Sequence, residues 1–552
     1  MEYSVFDIET KGWDKIYAIG IYDGVNLKIF TEKQKNNDGY IEWLLDNLKD
    51  GDIVYAHNGG RFDFLFVIEY MKNNKIKPFN FNLIHGSVAM FTIKYKDKRI
   101  TFKDSMLILP FSLRQLTNDF DVKHKKLEMD YELGLEDERF NDYFANDLYG
   151  LYEVLEQVPE LRSKLTIASN CINVFRNIFY KQKFTRNNYN VNELFRKGYF
   201  GGRTEIFKLY GTKLYYYDIN SLYPYVMSNF KYPLPIRDNY TKVFKYNGDG
   251  YYFIKAEIDN KYIPVLPYRM QKSKKLIFPL GKFSGWYYSP EIELAKQEGY
   301  KIKVYKGYSF NKVDYLFKDY VDYYYKIKKN SSGAKKAVAK LMLNSLYGKF
   351  GQHDFLTSYS FDYDKKDEVE WGKAYSPLFN MKEKKYLANQ DFVHPEISGM
   401  ITSYARVTLY NLFKRADFDV YYCDTDSIFT SKLLKTSNAL GDIKEEAQVK
   451  EFVALAPKVY AYTDMNDGYY SHIKGMRKGE FGYDVFKKAL YTQDMSEFKM
   501  TFDRLASFKE AKIHHRNTYT TTNILVKTLK SVYDKRKIQR NYWDTYPLTV
   551  KE

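Results

Sequence analysis

Cysteine is nearly absent from this 552-residue chain: only Cys171 and Cys423 occur. Neither a disulfide framework nor a cysteine zinc site can be built from them, and a reducing compartment is expected. Long apolar runs are missing too. No stretch approaches the length needed to cross a bilayer, so no membrane partner is expected. The start, MEYSVFDIET, places acids where a secretory leader needs a basic and then an apolar run. Acidic charge is also in deficit, with 69 Asp and Glu against 86 Lys and Arg, a formal net charge of +17 and a pI of about 9.1. What remains is a soluble protein acting inside a cell on a polyanionic partner.

The 45% hydrophobic content is ample for folded cores, and the length calls for several domains. The aromatic content is high, with 56 Tyr and 40 Phe. Basic charge mixed with flat side chains suits single-stranded nucleic acid, where phosphates meet Lys and Arg and bases stack on rings. An AT-rich genome also enriches Lys, Tyr, Phe, Asn and Ile, and composition alone does not separate the two readings.

The stretch YYCDTDSIF, Tyr421 to Phe429, reads as strand, tight turn and strand, with Asp424 and Asp426 at the turn. Residues two apart in a strand point to one side, so both carboxylates can face one hard cation. The alternative is a plain hairpin in which Asp is a favoured turn residue. A second strand-like run, Leu214 to Tyr217, ends on Asp218. Strand-end carboxylates that can pair in one sheet suit two-metal phosphoryl transfer. Earlier in the chain, Asp7 and Glu9 are again two apart at a strand end. In AHNGGRFDFLFV, Gly59 and Gly60 turn the chain and deliver Asp63 to the start of an apolar helix. The helical run NDYFANDLYGLYEVL sets Tyr143 and Asp147 four apart on one face. Taken singly, each acid reads as a helix cap or surface residue. Together, four carboxylates on three elements and a tyrosine able to orient a water describe a metal-dependent 3′–5′ exonuclease.

The order DIET, HNGGRFD, YxxxD resembles the exonuclease set of family B DNA polymerases. The resemblance implies that Asp7, Glu9, Asp63 and Asp147 hold two metals, that Tyr143 places the attacking water, and that Thr10, Asn58 and Phe62 grip the 3′ end. His57 and Phe66 lie where it puts further strand contacts, although HNGGRFD carries one more residue between Asn58 and Phe62 than the phage form. DSMLILPF resembles the family's Ser-Leu element and implicates Ser105 and Met106, with Met replacing Leu; KLEMDY supplies Lys126 to assist hydrolysis. Tyr199, Gly201 and Gly202 match the YxGG linker element, proposed to balance synthesis against proofreading. DINSLYP resembles motif A, which makes Asp218 a metal ligand, leaves Ile219 its carbonyl, and sets Tyr223 under the sugar, where a 2′-OH would collide with its ring. KLMLNSLYGKF resembles motif B: Lys340 holds the triphosphate as a point charge, Tyr347 stacks on the incoming base, and Lys328 and Lys336 assist. YCDTDS is similar to motif C, with Asp426 the second metal ligand and Asp424 beside it; APKVYAY supplies Lys458 and Tyr460 to the primer strand.

The intervals between these motifs, with LFKDY re-entering the fingers at Leu316 to Tyr320, are similar to the protein-primed, phi29-like branch. The implied architecture is mixed α/β and multidomain: an RNase H-like exonuclease domain (1–160) and a right-hand polymerase domain. The latter comprises palm (161–229 and 392–508), a first insertion that meets a terminal protein (230–315), fingers (316–350), a second insertion around the template (351–391) and a thumb (509–552). The implied protein is a monomeric DNA-directed DNA polymerase in the host-cell cytoplasm. It uses two Mg2+ ions at each site, Mn2+ being able to substitute, and dNTPs on a DNA template, with processive strand displacement. Priming would come from a separate terminal protein, since no extra domain precedes the exonuclease. The alternatives are an oligonucleotide-primed family B enzyme and a non-catalytic DNA-binding module of polymerase fold.

Overall fold

Alternation along the first strand, Ser4–Lys11, sets the layout of the N-terminal third. Phe6 and Ile8 enter one core with the helices Asn37–Asn47 and Asp63–Asn73, while Val5 enters another with the helix Phe140–Glu156. Asp7 and Glu9 share Val5's parity and therefore face that second helix. The strand sits inside a seven-stranded sheet with Lys15–Tyr22, Leu27–Phe30, Ile53–Ala56, Pro78–Ile84, Ser87–Tyr95 and Lys98–Asp104. Its middle strands, Ser4–Lys11, Ile53–Ala56 and Lys98–Asp104, run parallel. Gly20, the register partner of Asp7, lets the Phe140–Glu156 helix close in, because a Cβ there would meet Leu148 at 2.6 Å and Phe144 at 2.8 Å. That close approach brings Asp147 to Asp7.

This computed structural model describes residues 3–551 except 33, 131–132, 361–373, 377–380, 389, 477–478, 493, 506–521, 529–532 and 540–542. The chain is mixed α/β throughout. A second seven-stranded sheet, wholly antiparallel, has the spatial order Tyr469–Ile473, Val459–Asp464, Ile443–Ala456, Tyr210–Ile219, Ser427–Thr430, Val420–Asp424, Thr204–Ile206. Segments more than two hundred residues apart in sequence thus become neighbours. On one face Tyr217, Ile219, Cys423 and Ile428 join a core with the helix Pro395–Arg415; on the other Leu214, Tyr422 and Phe429 pack with Phe486 and Leu490 of the helix Tyr483–Thr492. The helices Lys318–Asn330 and Gly333–Phe350 form a hairpin beside this sheet.

Within 230–315, the strands Tyr240–Val243, Gly250–Ile258, Leu280–Tyr288 and Lys301–Phe310 form a further sheet, which Thr549–Lys551 completes by running parallel to Leu280–Tyr288. Thr545 N–H also donates to the Phe207 carbonyl at 2.9 Å, and Leu209 N–H to that of Trp543 at 2.8 Å. Residues 543–551, expected with the thumb, are therefore sewn to the sheet within 230–315 and to the second seven-stranded sheet, central to the chain; much of 509–552 lies outside the described residues. Within 351–391, Phe355–Ser360 pairs with Met381–Leu387, which also pairs with Ala374–Ser376. Residues 361–373, 377–380 and 389 of that expected insertion lie outside the described residues. Among the described residues no helix is long and apolar enough to cross a membrane.

Candidate active sites

In the N-terminal sheet, one ligand atom each from Asp7, Glu9 and Asp147 lies within 4.8 Å of the others. Asp63 adds its charge from the first turn of its helix. The turn before it depends on Gly60, where a Cβ would meet the Val88 carbonyl oxygen at 1.9 Å, and on Asn58 in the left-handed region at φ 66°. The Asp104 carboxylate clamps this turn, accepting N–H bonds from Asn58 (3.0 Å), Gly60 (3.1 Å) and Met106 (3.0 Å). Asp104 escaped the sequence reading. Its only signal is an Asp at the end of a strand whose parallel neighbour leads into HNGGRFD.

Burial pushes Asp63 up to about 8, with Asp104 and Glu9 adding to it, and holds Asp7 well above the ordinary carboxylate range, with Asp63 and Glu9 adding. Burial pushes Glu9 up to about 7 against the lowering pull of a Tyr143 hydrogen bond. Asp63 Oδ1 and Asp147 Oδ1 are buried without a hydrogen-bond partner. Crowded acids with orphaned oxygens are the donor set a divalent cation satisfies. Lys126 contributes one positive charge: its Nζ donates to Tyr143 Oη at 3.1 Å and to Asp147, and lies 4.6 Å from the Tyr143 ring centre.

In the central sheet, Asp218 stands opposite Ser427 on one neighbouring strand and Lys444 on the other. Ile219 N–H donates to the Asp426 carbonyl at 2.7 Å, so the two motifs abut. Thr425 takes φ 64° in the turn and its N–H donates to the Arg203 carbonyl at 2.7 Å. Gly202 is required there, since a Cβ would meet the Thr425 side chain at 2.8 Å, whereas nothing lies within 4 Å of one at Gly201. The backbone of this YxGG segment is held by buried Arg406, which donates to the Phe200 (2.6 Å) and Gly201 (2.9 Å) carbonyls while paired with Glu291 at 2.7 and 2.9 Å. Burial pushes Asp218 up to about 7, with Asp426 adding, and Asp426 up to about 6, with Asp424 adding.

Asp424 is placed differently from the expectation of a shared cation face. Both its oxygens accept from Lys458 Nζ at 2.7 Å, and Oδ1 also from Thr204 Oγ1 at 3.0 Å. The two-residue alternation holds within a strand, but Asp424 ends one and Asp426 lies in the turn, so alternation alone does not set their side chains on one face, although the Asp424 charge still bears on Asp426. Lys458, expected on the primer strand, is correspondingly engaged with Asp424; the Tyr460 ring lies 5.1 Å from that of Tyr422.

The helical hairpin brings lysines to the same place. Lys328 Nζ donates to Ser221 Oγ at 2.6 Å, and Ser221 caps the motif A helix with φ 57°. Burial lowers the Lys328 amine, with the charges of Lys340, Lys444 and Lys336 pressing the same way. Lys340 in turn bears on both Asp218 and Asp426. The Tyr223 and Tyr347 rings stack at 4.5 Å and 13°. The backbone of Tyr347 is fixed by Ser398 Oγ, which donates to its carbonyl at 2.6 Å, and the Tyr199 ring packs where Gly351 leaves room.

Three of the expected strand contacts point inward. Phe66 is 2% exposed, in a helix start buried on all sides, and its ring meets Phe62 edge-on at 5.5 Å. Ser105 is fully buried and donates to the Ala56 carbonyl at 3.1 Å. His57 is held at both ring nitrogens, with Nδ1 2.9 Å from Ser105 Oγ and Nε2 donating to the Phe111 carbonyl at 2.7 Å. These residues brace the loop. Phe62, flanked by Trp13, and Met106 remain half-buried at its edge, and Thr10 Oγ1 donates to the Gly12 carbonyl at 2.9 Å.

Against known proteins, residues 47–143 and 137–438 match the family model of DNA polymerase type B, organellar and viral. A probable DNA polymerase of Podospora anserina is 31% identical over 92% of this chain and 54% of its own length; a DNA polymerase of Bacillus phage M2 is 27% identical over 91% of this chain and 94% of its own. The chain spans about half the length of the probable DNA polymerases of Podospora anserina, Neurospora intermedia and Ascobolus immersus that it matches. Phi29 DNA polymerase, solved with primer-template DNA and incoming nucleotide, superposes with a TM-score of 0.75 at 21% identity, covering 96% of this chain and 99% of that one. That likeness establishes the fold.

Proposed function

Because this chain belongs to the type B DNA polymerases of organelles and viruses, and the family depends on divalent metal, we propose that it is a DNA-directed DNA polymerase carrying its own 3′–5′ exonuclease. The observation that carries the reading is the convergence on one sheet end of Asp218 and Asp426 with the amines of Lys328, Lys336, Lys340 and Lys444. Half-buried acids facing a lysine cluster suit a substrate that brings both cations and phosphates.

In this reading Asp218, Asp426 and the carbonyl of Ile219 hold two Mg2+ ions, and Asp7, Glu9, Asp63 and Asp147 hold two more; Mn2+ substitutes. Bound ions lower the pKa of the attacking oxygen and stabilise charge on the transferring phosphorus. Asp424 acts through Lys458, keeping its amine beside the turn. During synthesis the primer 3′-hydroxyl gives up its proton to solvent, its oxygen bonds to the α-phosphorus of a dNTP, and the bond from that phosphorus to the leaving pyrophosphate breaks. Lys340, assisted by Lys328 and Lys336, holds the departing negative charge. Tyr347 stacks on the base, and Tyr223 lies under the sugar, where it refuses a 2′-OH. During proofreading Tyr143 and Lys126 orient the water, while Thr10, Asn58, Phe62 and Met106 hold the frayed 3′ end. Tyr199, Gly201 and Gly202 pass the strand between the sites, and Tyr460 lies along the primer.

Residues 1–160 form the exonuclease, 161–229 and 392–508 the palm, and 316–350 the fingers; 230–315 and 351–391 are the two insertions, with a thumb from 509. A terminal protein supplies the priming hydroxyl at the first insertion, and the second supports strand displacement in a monomer replicating a linear phage or plasmid genome in its host. The test is extension of one primer on circular single-stranded DNA with Mg2+ and dNTPs, read on a denaturing gel. Products many circles long are expected; an unextended, intact primer would overturn the reading.

A further inference from the structure

Lys444 is the register partner of Asp218 on the adjacent antiparallel strand, so the two side chains leave the same face of the sheet side by side. Immediately beyond it the strand bulges. Glu445 pairs with Tyr217 and Ala447 with Tyr216, which leaves Glu446 as the extra residue. A bulge beside a site re-aims a side chain. Here it puts the Glu446 carboxylate on the Lys444 amine and within reach of Asp218, whose carboxyl it raises further. The Lys444 charge also presses on the Lys328 amine of the helical hairpin, and Lys444 is itself favoured in its charged form by Glu446, then Asp218 and Asp426. The site thus has lysines on two walls, from the helical hairpin and from the sheet.

An exposed Lys–Glu pair is ordinarily a solvated contact of small consequence. This one differs in position: opposite a metal-binding carboxylate, on a bulge, facing three further amines whose mutual repulsion an anion would relieve. Resting on the polymerase reading above, we propose that Lys444 is a further nucleotide-binding residue, whose amine leaves Glu446 to take an oxygen of the incoming triphosphate. Glu446 is its parking site when no nucleotide is bound. In GDIKEEAQVKEF the residue is indistinguishable from a solvated charge run, and only the strand register sets it apart.

The test is single-nucleotide incorporation on a primer-template by Lys444→Met, Lys444→Arg and Glu446→Gln, with degradation of a single-stranded oligonucleotide as the fold control. Lys444→Met is expected to raise the KM for dNTP roughly tenfold, the size of one charge-assisted contact, with kcat nearly unchanged. Lys444→Arg restores KM, Glu446→Gln leaves it unchanged or lowers it, and degradation is unaffected in all three. A wild-type KM in Lys444→Met, a raised KM in Glu446→Gln, or a loss confined to primer-template affinity would overturn the assignment. A wild-type chain that incorporates no nucleotide would instead overturn the polymerase reading.

Discussion

The two acid clusters of this chain handle the same electrostatic problem in opposite ways. In the N-terminal sheet Asp63 and Asp147 are buried, Asp7 and Glu9 are half-buried beside them, and a resident lysine, Lys126, already lies on Asp147 and Tyr143. In the central sheet Asp218 and Asp426 are half-exposed, and the balancing lysines stand back on the helical hairpin and the neighbouring strand. The more buried cluster is organised before substrate arrives. The open one leaves counter-charge to be completed by the substrate, which suits the proposed polymerase site, where a nucleotide would enter and pyrophosphate leave in each cycle.

Removing one cluster at a time should separate the two activities. Asp426→Ala is expected to lower primer extension by roughly three orders of magnitude, the loss of several kcal/mol of transition-state stabilisation. Single-strand degradation should be untouched, and Asp63→Ala should do the reverse. Joint loss of both activities in either variant would deny the separation. Next in size is Lys126→Met, which removes the resident charge and should cut degradation by roughly 10- to 100-fold, the range for a group that orients a metal-binding carboxylate, with extension unchanged. An unchanged degradation rate would make Lys126 a surface residue.

The third prediction concerns the loop that places Asp63. Gly60→Ala drives a Cβ into the Val88 carbonyl, a backbone atom that cannot yield. A destabilisation of roughly 1–3 kcal/mol is expected, typical of overpacking, with degradation lost before extension. An Ala variant with wild-type melting and degradation would contradict the tight turn. The smallest effect is on stability against pH. Asp63 at about 8, Glu9 and Asp218 at about 7 and Asp426 at about 6 all lie above unfolded carboxylates near 4. A folded value raised this way contributes stability below the unfolded pKa and loses it as pH rises through the folded one. Without divalent metal the melting temperature should therefore fall between about pH 5 and pH 8.5, and Asp63→Asn should flatten part of that fall. Added Mn2+ should stabilise most at the alkaline end. A metal effect independent of pH would contradict the crowding.

Much of this was legible from local pattern. Asp7 and Glu9 share a face because both lie inside one strand, and Tyr143 and Asp147 because both lie inside one helix. The same rule does not reach Asp424 and Asp426, because Asp426 lies outside the strand, in a turn with Thr425 at positive φ. Phe66, Ser105 and His57 were expected at a strand-contacting surface, yet whether a residue near a motif faces out depends on what covers it, and here the loop folds back onto its own sheet. Asp104 and Lys444 owe their positions to pairing with other strands, and Arg406 holds a loop two hundred residues away. The attachment of Thr549–Lys551 to the sheet within 230–315 is likewise a property of register between distant segments, which local composition does not carry.

The most direct test follows one labelled primer-template in Mg2+ with the wild-type chain, Asp218→Ala and Asp7→Ala, each with all four dNTPs and with none. The account predicts that wild type lengthens the primer with dNTPs and shortens it without them, that Asp218→Ala only shortens it, and that Asp7→Ala only lengthens it. If Asp7→Ala also fails to extend, or Asp218→Ala also fails to degrade, the two clusters are one site in function and the account is wrong.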